Sequence, residues 1–409
     1  MSGDMESGCS FSTSTVLHLR TVTGRGGGPE KTLLRSPQYL TGEYELRLAY
    51  IHPTGDPLYD MPDRAARAGA TLVDVPERWA LDPQTWRRLA EEIRQSRPAI
   101  LHAHDYKTNV LAILLGRRFG IPVMTTMHGY GCGRNRLKFY FRLDRWALRR
   151  MQRIVAVSAD LLEYAIGLGI EPSRCVLVEN AIDCGEFSRR RCVAEAKERL
   201  GLPADRLLIG AVGRLCEEKA FDRLILAVDQ LLSQGLDAQL CIVGEGETRS
   251  ALEQLIVRLG RQENVRLVGY LSNAADWYEA MDAFALSSVH EGTPNVVLEA
   301  MAMEVPLVAT RVAGVPKMVE HGVDGLLVEP GDVAGLAQAL ASLVSDARLR
   351  GGLARAARST VETRYSFAVR MDKIRKIYDD ILGRTPSSNL RDEAGGSHQI
   401  ASQCGVSVS

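Results

Sequence analysis

Long apolar runs are missing from this chain of 409 residues. The longest, near Val110–Leu115, stops at Arg117, far short of the roughly 18 apolar residues that cross a bilayer. The amino end has no basic region followed by an apolar segment, so no signal peptide is expected. Net charge is missing as well: 50 Lys+Arg face 50 Asp+Glu, and no overall field draws in nucleic acid. The eight cysteines (Cys9, Cys132, Cys175, Cys184, Cys192, Cys216, Cys241 and Cys404) form no Cys-x-x-Cys pair, and no histidine cluster stands at zinc spacing. That pattern predicts reduced thiols and a cytoplasmic protein.

Apolar residues make up 45% and charged residues 24%, the mixture of a globular protein with full cores, and the length predicts two domains. Charge is uneven along the chain. Residues 1–190 hold 26 Lys+Arg against 21 Asp+Glu, and the remainder holds 24 against 29.

Short apolar runs alternate with amphipathic stretches, which predicts repeated strand–helix units and parallel sheets. In the first half the strands are Val16–Leu19, Leu46–Ile51, Ala70–Val75, Ala99–Ala103, Pro122–Met127 and Ile154–Val157, a set of six. A glycine-rich turn, Gly24–Gly28, and a helix over Lys31–Leu40 follow the first; another helix covers Asn109–Phe119. In the second half Leu207–Val212, Gln239–Val243, Val265–Val268, Ala283–Leu286, Pro306–Ala309 and Gly325–Val328 read as strands. Phe221–Ser233 is a helix with apolar positions 221, 224, 225, 228, 231 and 232, and Asp332–Leu343 and Arg348–Glu362 are two more. Each half is therefore an α/β doubly wound sheet of Rossmann type. The periodicity breaks near Asn180–Arg191, and the last helix, Phe367–Leu382, fits either half. The ends, 1–14 and 383–409, have the composition of disordered tails.

In such sheets ligands bind at the carboxyl ends of the strands, and the candidate motifs follow strands. Ser287-Ser-Val-His-Glu-Gly-Thr-Pro-Asn-Val-Val-Leu-Glu predicts a helix capped by Thr293 with Pro294 at its first position. The amides of Asn295, Val296 and Val297 would then face a diphosphate. Carboxylates accept hydrogen bonds from hydroxyls, so Glu291 suits a sugar and Glu299 a ribose; a capped surface helix with incidental acids is the plainer reading. Gly213-Arg-Leu-Cys-Glu-Glu-Lys offers Arg214 and Lys219 to phosphate oxygens, unless Glu217 and Glu218 pair with them in a solvated loop. Thr23-Gly-Arg-Gly-Gly-Gly-Pro-Glu-Lys fits neither a P-loop nor Gly-x-Gly-x-x-Gly, because Glu30 and Pro29 stand where glycines belong, and Gly244-Glu-Gly-Glu-Thr-Arg fails likewise. His128 lies past one strand, where it can meet a donor sugar or phosphate. His104-Asp105 lies past another, with Asp105 placed to bind or deprotonate an acceptor hydroxyl. A single histidine is more often structural.

Gly-Arg-Leu-x-x-x-Lys followed by Glu-Gly-Thr-Pro-Asn-Val-Val-Leu-Glu, with its glutamates eight apart, resembles the retaining glycosyltransferase family 4 over about residues 15–382. The resemblance implies the GT-B architecture, two facing Rossmann-like domains with a cleft between them. The domains would be 15–188, joined by a returning helix at 366–382, and 189–365. It implies a nucleotide-sugar donor, UDP- or GDP-linked, and transfer with retention to a glycan or lipid-linked acceptor in bacterial cell-surface polysaccharide or glycolipid synthesis. Arg214 and Lys219 would hold the diphosphate, Glu291 the sugar and Glu299 the ribose, with Gly244, Gly292, Thr293, Pro294, Asn295, Val296 and Val297 also on the donor. Gly27, Gly28 and Glu30 match the family's Gly-Gly-x-Glu loop near the diphosphate and acceptor. Glu30, His104 and Asp105 would serve the acceptor, His128 would be the donor-side histidine, and Gly269-Tyr270 would meet the base.

Two positions depart from the pattern: Ala220 replaces the glycine common after the lysine, and Lys317 stands where an acid is common. No Asp-x-Asp occurs, so neither metal nor another cofactor is expected. No carboxylate is an evident nucleophile, which points to front-face attack with Arg214 and Lys219 stabilising the leaving diphosphate. A nucleotide-sugar epimerase and a catalytically inactive nucleotide-sugar-binding protein are the alternatives on this fold. Residues 134–153 carry eight basic side chains and one acid among aromatic and leucine residues. That segment suits peripheral contact with anionic lipid at the inner face of the cell membrane, or a crossover helix with solvated arginines.

Overall fold

The computed structural model of the chain describes residues 13–80, 82–129, 138–271, 273–291 and 294–384, with 138–141 by backbone alone. It divides into two compact units: the described residues up to Glu179 together with those from Arg370 on, and Asn180–Val369. These limits differ from the predicted ones by up to about ten residues, for a physical reason. Ile182 bridges to Ser366, and Arg358 donates to the carbonyls of Cys184 and Phe187, so 180–188 is held by the second unit. At the other end the Arg370 guanidinium is buried on the carbonyls of Val178 and Glu179 of the first unit.

The first unit is a seven-stranded parallel sheet of β1 (Ser14–Thr21), β2 (Tyr44–Pro53), β3 (Thr71–Glu77), β4 (Ile100–Ala103), β5 (Val123–Met127), β6 (Arg153–Ala156) and β7 (Cys175–Leu177). Its order is β3-β2-β1-β4-β5-β6-β7. The six predicted strands are all present. The seventh, three residues at the edge, is too short to show a period. The strands are continuous apolar runs because helices cover both faces: Leu17, Leu19, Ala49, Leu101 and Ile154 are fully buried.

The second unit has six parallel strands, β8 (Leu207–Val212), β9 (Ala238–Val243), β10 (Val265–Gly269), β11 (Ala283–Leu286), β12 (Leu307–Thr310) and β13 (Leu326–Val328), in the order β10-β9-β8-β11-β12-β13. The helix Phe221–Ser233 has the predicted bounds and buries Phe221, Leu224, Ile225, Val228 and Leu231 at the predicted spacing. The last helix, Phe367–Ile381, starts in this unit and continues into the first, where Tyr44 donates to Asp379 and His102 meets Tyr378.

In each sheet the strand order reverses once, between β1 and β4 and between β8 and β11. At such a point neighbouring strands send their following segments in opposite directions, which leaves a crevice at their carboxyl ends. The loops after those four strands carry most of the candidate motifs.

Among the described residues no helix is long and apolar enough to cross a membrane. Residues 134–137 and the side chains of 138–141 lie outside the described set; over the rest of the basic segment Ala147, Leu148 and Met151 are buried while Arg142, Arg145, Arg149 and Arg150 are exposed. Trp146 packs beneath Arg150, whose guanidinium lies 4.5 Å from the ring centre. The predicted tails, 1–14 and 383–409, fall almost wholly outside the described residues.

Candidate functional site

In the first unit the turn after β1 passes through Gly24 and Gly26 at φ 58° and 64°, a region that favours glycine. A Cβ on Gly26 would stand 2.7 Å from Glu30 Cγ. Here Glu30 is buried: Oε2 accepts from the Gly27 amide at 2.5 Å and Oε1 from Arg20 Nε at 2.8 Å. The helix is Gly28–Arg35 with Gly27 as its cap, so it begins three residues before the predicted start. From β1, Arg20 also donates to the His104 carbonyl at 2.7 Å, tying the loops after β1 and β4 together.

Asp105 caps the helix Tyr106–Phe119, accepting from the amides of Lys107 and Thr108, and takes the Thr21 amide at 2.7 Å. His104 is buried between His18 and His128. The three residues read as acceptor groups thus have their polar atoms turned on the protein. Glu30 and Asp105 fasten backbone at the switch point, and His104 holds other histidines.

That histidine cluster was not foreseen, although His102 on β4 and His104 just past its end are two residues apart, and extended backbone puts such a pair on one face. Register sets His18 of β1 opposite His102 of β4. Nitrogens of His18, His102 and His104 lie within 4.8 Å of one another, close enough to suggest a metal. All six ring nitrogens, however, have hydrogen-bond partners: His104 Nδ1 with His128 Nε2 (3.0 Å), His104 Nε2 with His18 Nδ1 (2.8 Å), His18 Nε2 with the Tyr378 hydroxyl (3.2 Å), His102 Nδ1 with the same hydroxyl (2.9 Å) and His102 Nε2 with Thr126 Oγ1 (2.8 Å). A bound ion would have to break that set. Burial pushes His18 down to about 3. It also pushes His102, His104 and His128 well below the usual histidine range; neighbouring histidines add to the effect at His102 and His104, and Arg20 or Arg370 at all three. The rings are neutral at physiological pH.

In the second unit the loop after β8 runs against the turns after β9 and β10. Gly213 and Leu215 amides donate to the carbonyls of Val243 and Glu245, Thr248 donates back to Leu215, and Gly244 to Gly269. Only glycine permits this approach. A Cβ on Gly244 (φ 155°) would sit 1.8 Å from the Gly213 carbonyl oxygen, and one on Gly246 2.3 Å from that of Leu215. The Gly-x-Gly pair after β9 is therefore the bed of the Arg214–Lys219 loop.

Across the switch point Lys219 Nζ meets Glu291 Oε1 at 2.5 Å, and Ser288 Oγ donates to the same oxygen at 2.6 Å. Ser287 donates to the Lys219 carbonyl and Val289 to that of Glu218, which fixes the two loops edge to edge. Lys219 thus pairs with neither Glu217 nor Glu218. Arg214 is two-thirds exposed and reaches Glu218 only at 3.8 Å. A contact so solvated contributes little, which leaves the guanidinium ready for an anion.

The helix after β11 is Asn295–Ala302, capped by Pro294, one residue later than the predicted start. Gly292 and Thr293 lie outside the described residues. The Val297 amide is already bonded to the Pro294 carbonyl at 3.1 Å, so Asn295 and Val296 alone keep the orphan-donor positions expected of three residues. Glu299 accepts from the buried Tyr278 hydroxyl at 2.9 Å, an anchor that sequence reading missed. Its carboxylate and burial together hold the Tyr278 hydroxyl well above its usual pKa, burial being the larger cause. Tyr270, just past β10, is 64% exposed, as suits a stacking surface.

Ala220 takes φ 47°, 4% exposed, between Lys219 and the helix Phe221–Ser233. A left-handed alanine costs about 1–2 kcal/mol, and glycine offsets roughly half of its own relief through unfolded-state entropy. Ala220→Gly should raise stability by up to about 1 kcal/mol in a urea titration. No gain would mean that the turn relaxes around alanine.

Residues 26–186 match the family model described as Glycosyltransferase Family 4, and 206–346 that of Glycosyl transferases group 1. The chain belongs to this glycosyltransferase family. Its curated relatives include the capsular polysaccharide biosynthesis glycosyltransferase CapM of Staphylococcus aureus, 30% identical over 59% of this chain and 65% of that one. Another is the lipopolysaccharide core biosynthesis glycosyltransferase LpsE of Rhizobium meliloti, 36% identical over 43% and 51%. The matches thus span less than two thirds of either relative's length. Among solved structures, Anabaena HepE in complex with UDP superposes with a TM-score of 0.77 at 19% identity, covering 90% of this chain and all of that one. That likeness is one of fold, and the fold is GT-B.

Proposed function

We propose that this family member transfers a sugar from a nucleoside-diphosphate donor, UDP- or GDP-linked, to an acceptor hydroxyl with retention of anomeric configuration. The observation that carries this reading is the Lys219–Glu291 pair across the switch point of the second sheet, directly before the helix that starts at Asn295. A cation, a solvated guanidinium and two amide donors at a helix start form a set suited to a leaving diphosphate. Tyr278 donates to Glu299 and fixes that carboxylate on the helix after β11, where the reading assigns it to a ribose hydroxyl. Glu291 shares one oxygen with Lys219 and Ser288. Such a carboxylate suits sugar hydroxyls better than covalent attack, so the acceptor oxygen enters on the face the diphosphate leaves.

Fixed cations do here what a metal does in other diphosphate sites, and turnover without added magnesium belongs to the proposal. HepE binds UDP and, in another structure, UDP-glucose, while the names of CapM and LpsE place those proteins in capsule and lipopolysaccharide synthesis. They support a cell-surface polysaccharide or glycolipid acceptor. The exposed arginines of 142–150 suit peripheral contact with an anionic bilayer that carries it.

Thermal-shift and donor-hydrolysis measurements against UDP-, GDP-, ADP- and dTDP-sugars, with and without magnesium, test this. One nucleotide class should raise the melting temperature, and Lys219→Ala and Glu299→Ala should abolish the shift. Lys219→Ala should also lower turnover about 100-fold or more. A protein stabilised by NAD or ATP and by none of the sugar nucleotides would sink the reading.

A further inference from the structure

The buried polar chain in the first unit runs Thr126–His102–Tyr378–His18–His104–His128, six groups joined by five contacts of 2.8–3.2 Å. Each contact needs one hydrogen. A neutral imidazole has a single N–H and two ring nitrogens, and a phenol has one O–H. The four interior groups therefore supply four hydrogens for five contacts. One end, and only one, must supply the fifth. If both ends donate, two hydrogens collide at one contact; if neither does, one contact is lost.

Which end donates is decided at Thr126. It is 1% exposed, and among the described residues its Oγ1 meets only His102 Nε2. A buried hydroxyl with no other acceptor must point its hydrogen there, because an unsatisfied buried donor is costly. The rest follows in order. His102 then carries its hydrogen on Nδ1 and donates to Tyr378, Tyr378 donates to His18 Nε2, His18 Nδ1 to His104 Nε2, and His104 Nδ1 to His128 Nε2. His128 is left with its own hydrogen on Nδ1.

We infer that this chain sets the tautomer of His128 from Thr126, and that His128 offers an Nδ1–H donor rather than a basic lone pair. Thr126, His102, Tyr378, His18 and His104 are then positioning residues. The depressed basicity that burial gives all four histidines keeps the chain neutral, as the hydrogen count requires. The consequence for chemistry rests on the reading of His128 as a group that meets the donor. In that role it hydrogen-bonds a sugar or phosphate oxygen and does not deprotonate the acceptor. The chain ends in an aliphatic hydroxyl, so it conducts no proton onward; it fixes a direction.

Long-range proton–nitrogen NMR on the full chain with nitrogen-labelled histidine reads the tautomer directly, with no substrate present. Wild-type His128 should show a protonated Nδ1 and an unprotonated Nε2. In Thr126→Val, neither direction satisfies His102 Nε2, and in Tyr378→Phe the chain is cut. The Nε2-protonated fraction should rise about tenfold in at least one of them, from a few per cent, as a lost preference of one hydrogen bond implies. Thr126→Ser should keep the wild-type spectrum. An Nε2–H in the wild type overturns the inference, as do Thr126→Val and Tyr378→Phe spectra that both leave His128 unchanged. If His128 carries Nδ1–H and yet His128→Ala keeps full turnover, the tautomer relay stands and the donor-side reading of His128 fails instead.

Discussion

Gly244→Ala should cost the second unit roughly 4 kcal/mol or more and abolish the proposed nucleotide binding with it. The added methyl would lie 1.8 Å from the Gly213 carbonyl oxygen, and that atom is backbone with no rotamer to yield. The φ of 155° adds strain that an L-residue rarely accepts. Relief requires the loop after β8 to lift from the turn after β9, breaking the Gly213–Val243 and Leu215–Glu245 hydrogen bonds and carrying Arg214 and Lys219 away from Glu291. Gly260→Ala is the control. Gly260 has φ 67° but open space about it, so its replacement should cost only about 1 kcal/mol and leave binding intact. Urea titrations with a nucleotide thermal shift check both, and equal losses for the two variants would show that the loops part freely.

Acidification should destabilise the first unit steeply. Its four clustered histidines hold folded pKa values below the ordinary 6.5, chiefly through burial, with His18 at about 3. The unfolded chain then binds protons that the folded chain refuses. Stability is whole above about pH 6.5 and is lost as the pH falls from there towards the folded values. Each proton refused by the folded chain contributes a slope of at most about 1.4 kcal/mol per pH unit within that window. Asp144, whose carboxyl burial raises, works the other way over a lower range. Urea midpoints at pH 8, 7, 6 and 5 measure the sum, and a midpoint flat from pH 7 to 5 would contradict it. His104→Gln should lower stability at pH 8 yet flatten the slope, since one refused proton is gone.

Much of the second unit was legible before any coordinates. Phe221–Ser233, Leu207–Val212 and Ala283–Leu286 coincide with the predicted elements because a strand buried on both faces and a helix buried on one leave unmistakable periods. The motif residues Arg214, Lys219 and Glu291 stood out because they follow strands, and Glu299 because it stands eight positions on, in the helix Asn295–Ala302. The three-residue edge strand Cys175–Leu177 was invisible for want of length.

What local sequence determined, then, is the two doubly wound sheets, most of their strands, and the charged residues of the loops after β8 and β11. Tertiary structure decided the rest. It gave Glu30 and Asp105 to backbone amides, paired Lys219 with Glu291 across 72 residues, and brought Tyr378 from the returning helix onto His18 and His102, 360 and 276 residues away. Periodicity reports which face of an element is buried, and motif spacing reports which residues share a loop. Neither reports the partner of a buried polar atom, because that partner comes from a distant segment and is selected by the cost of leaving the atom unpaired.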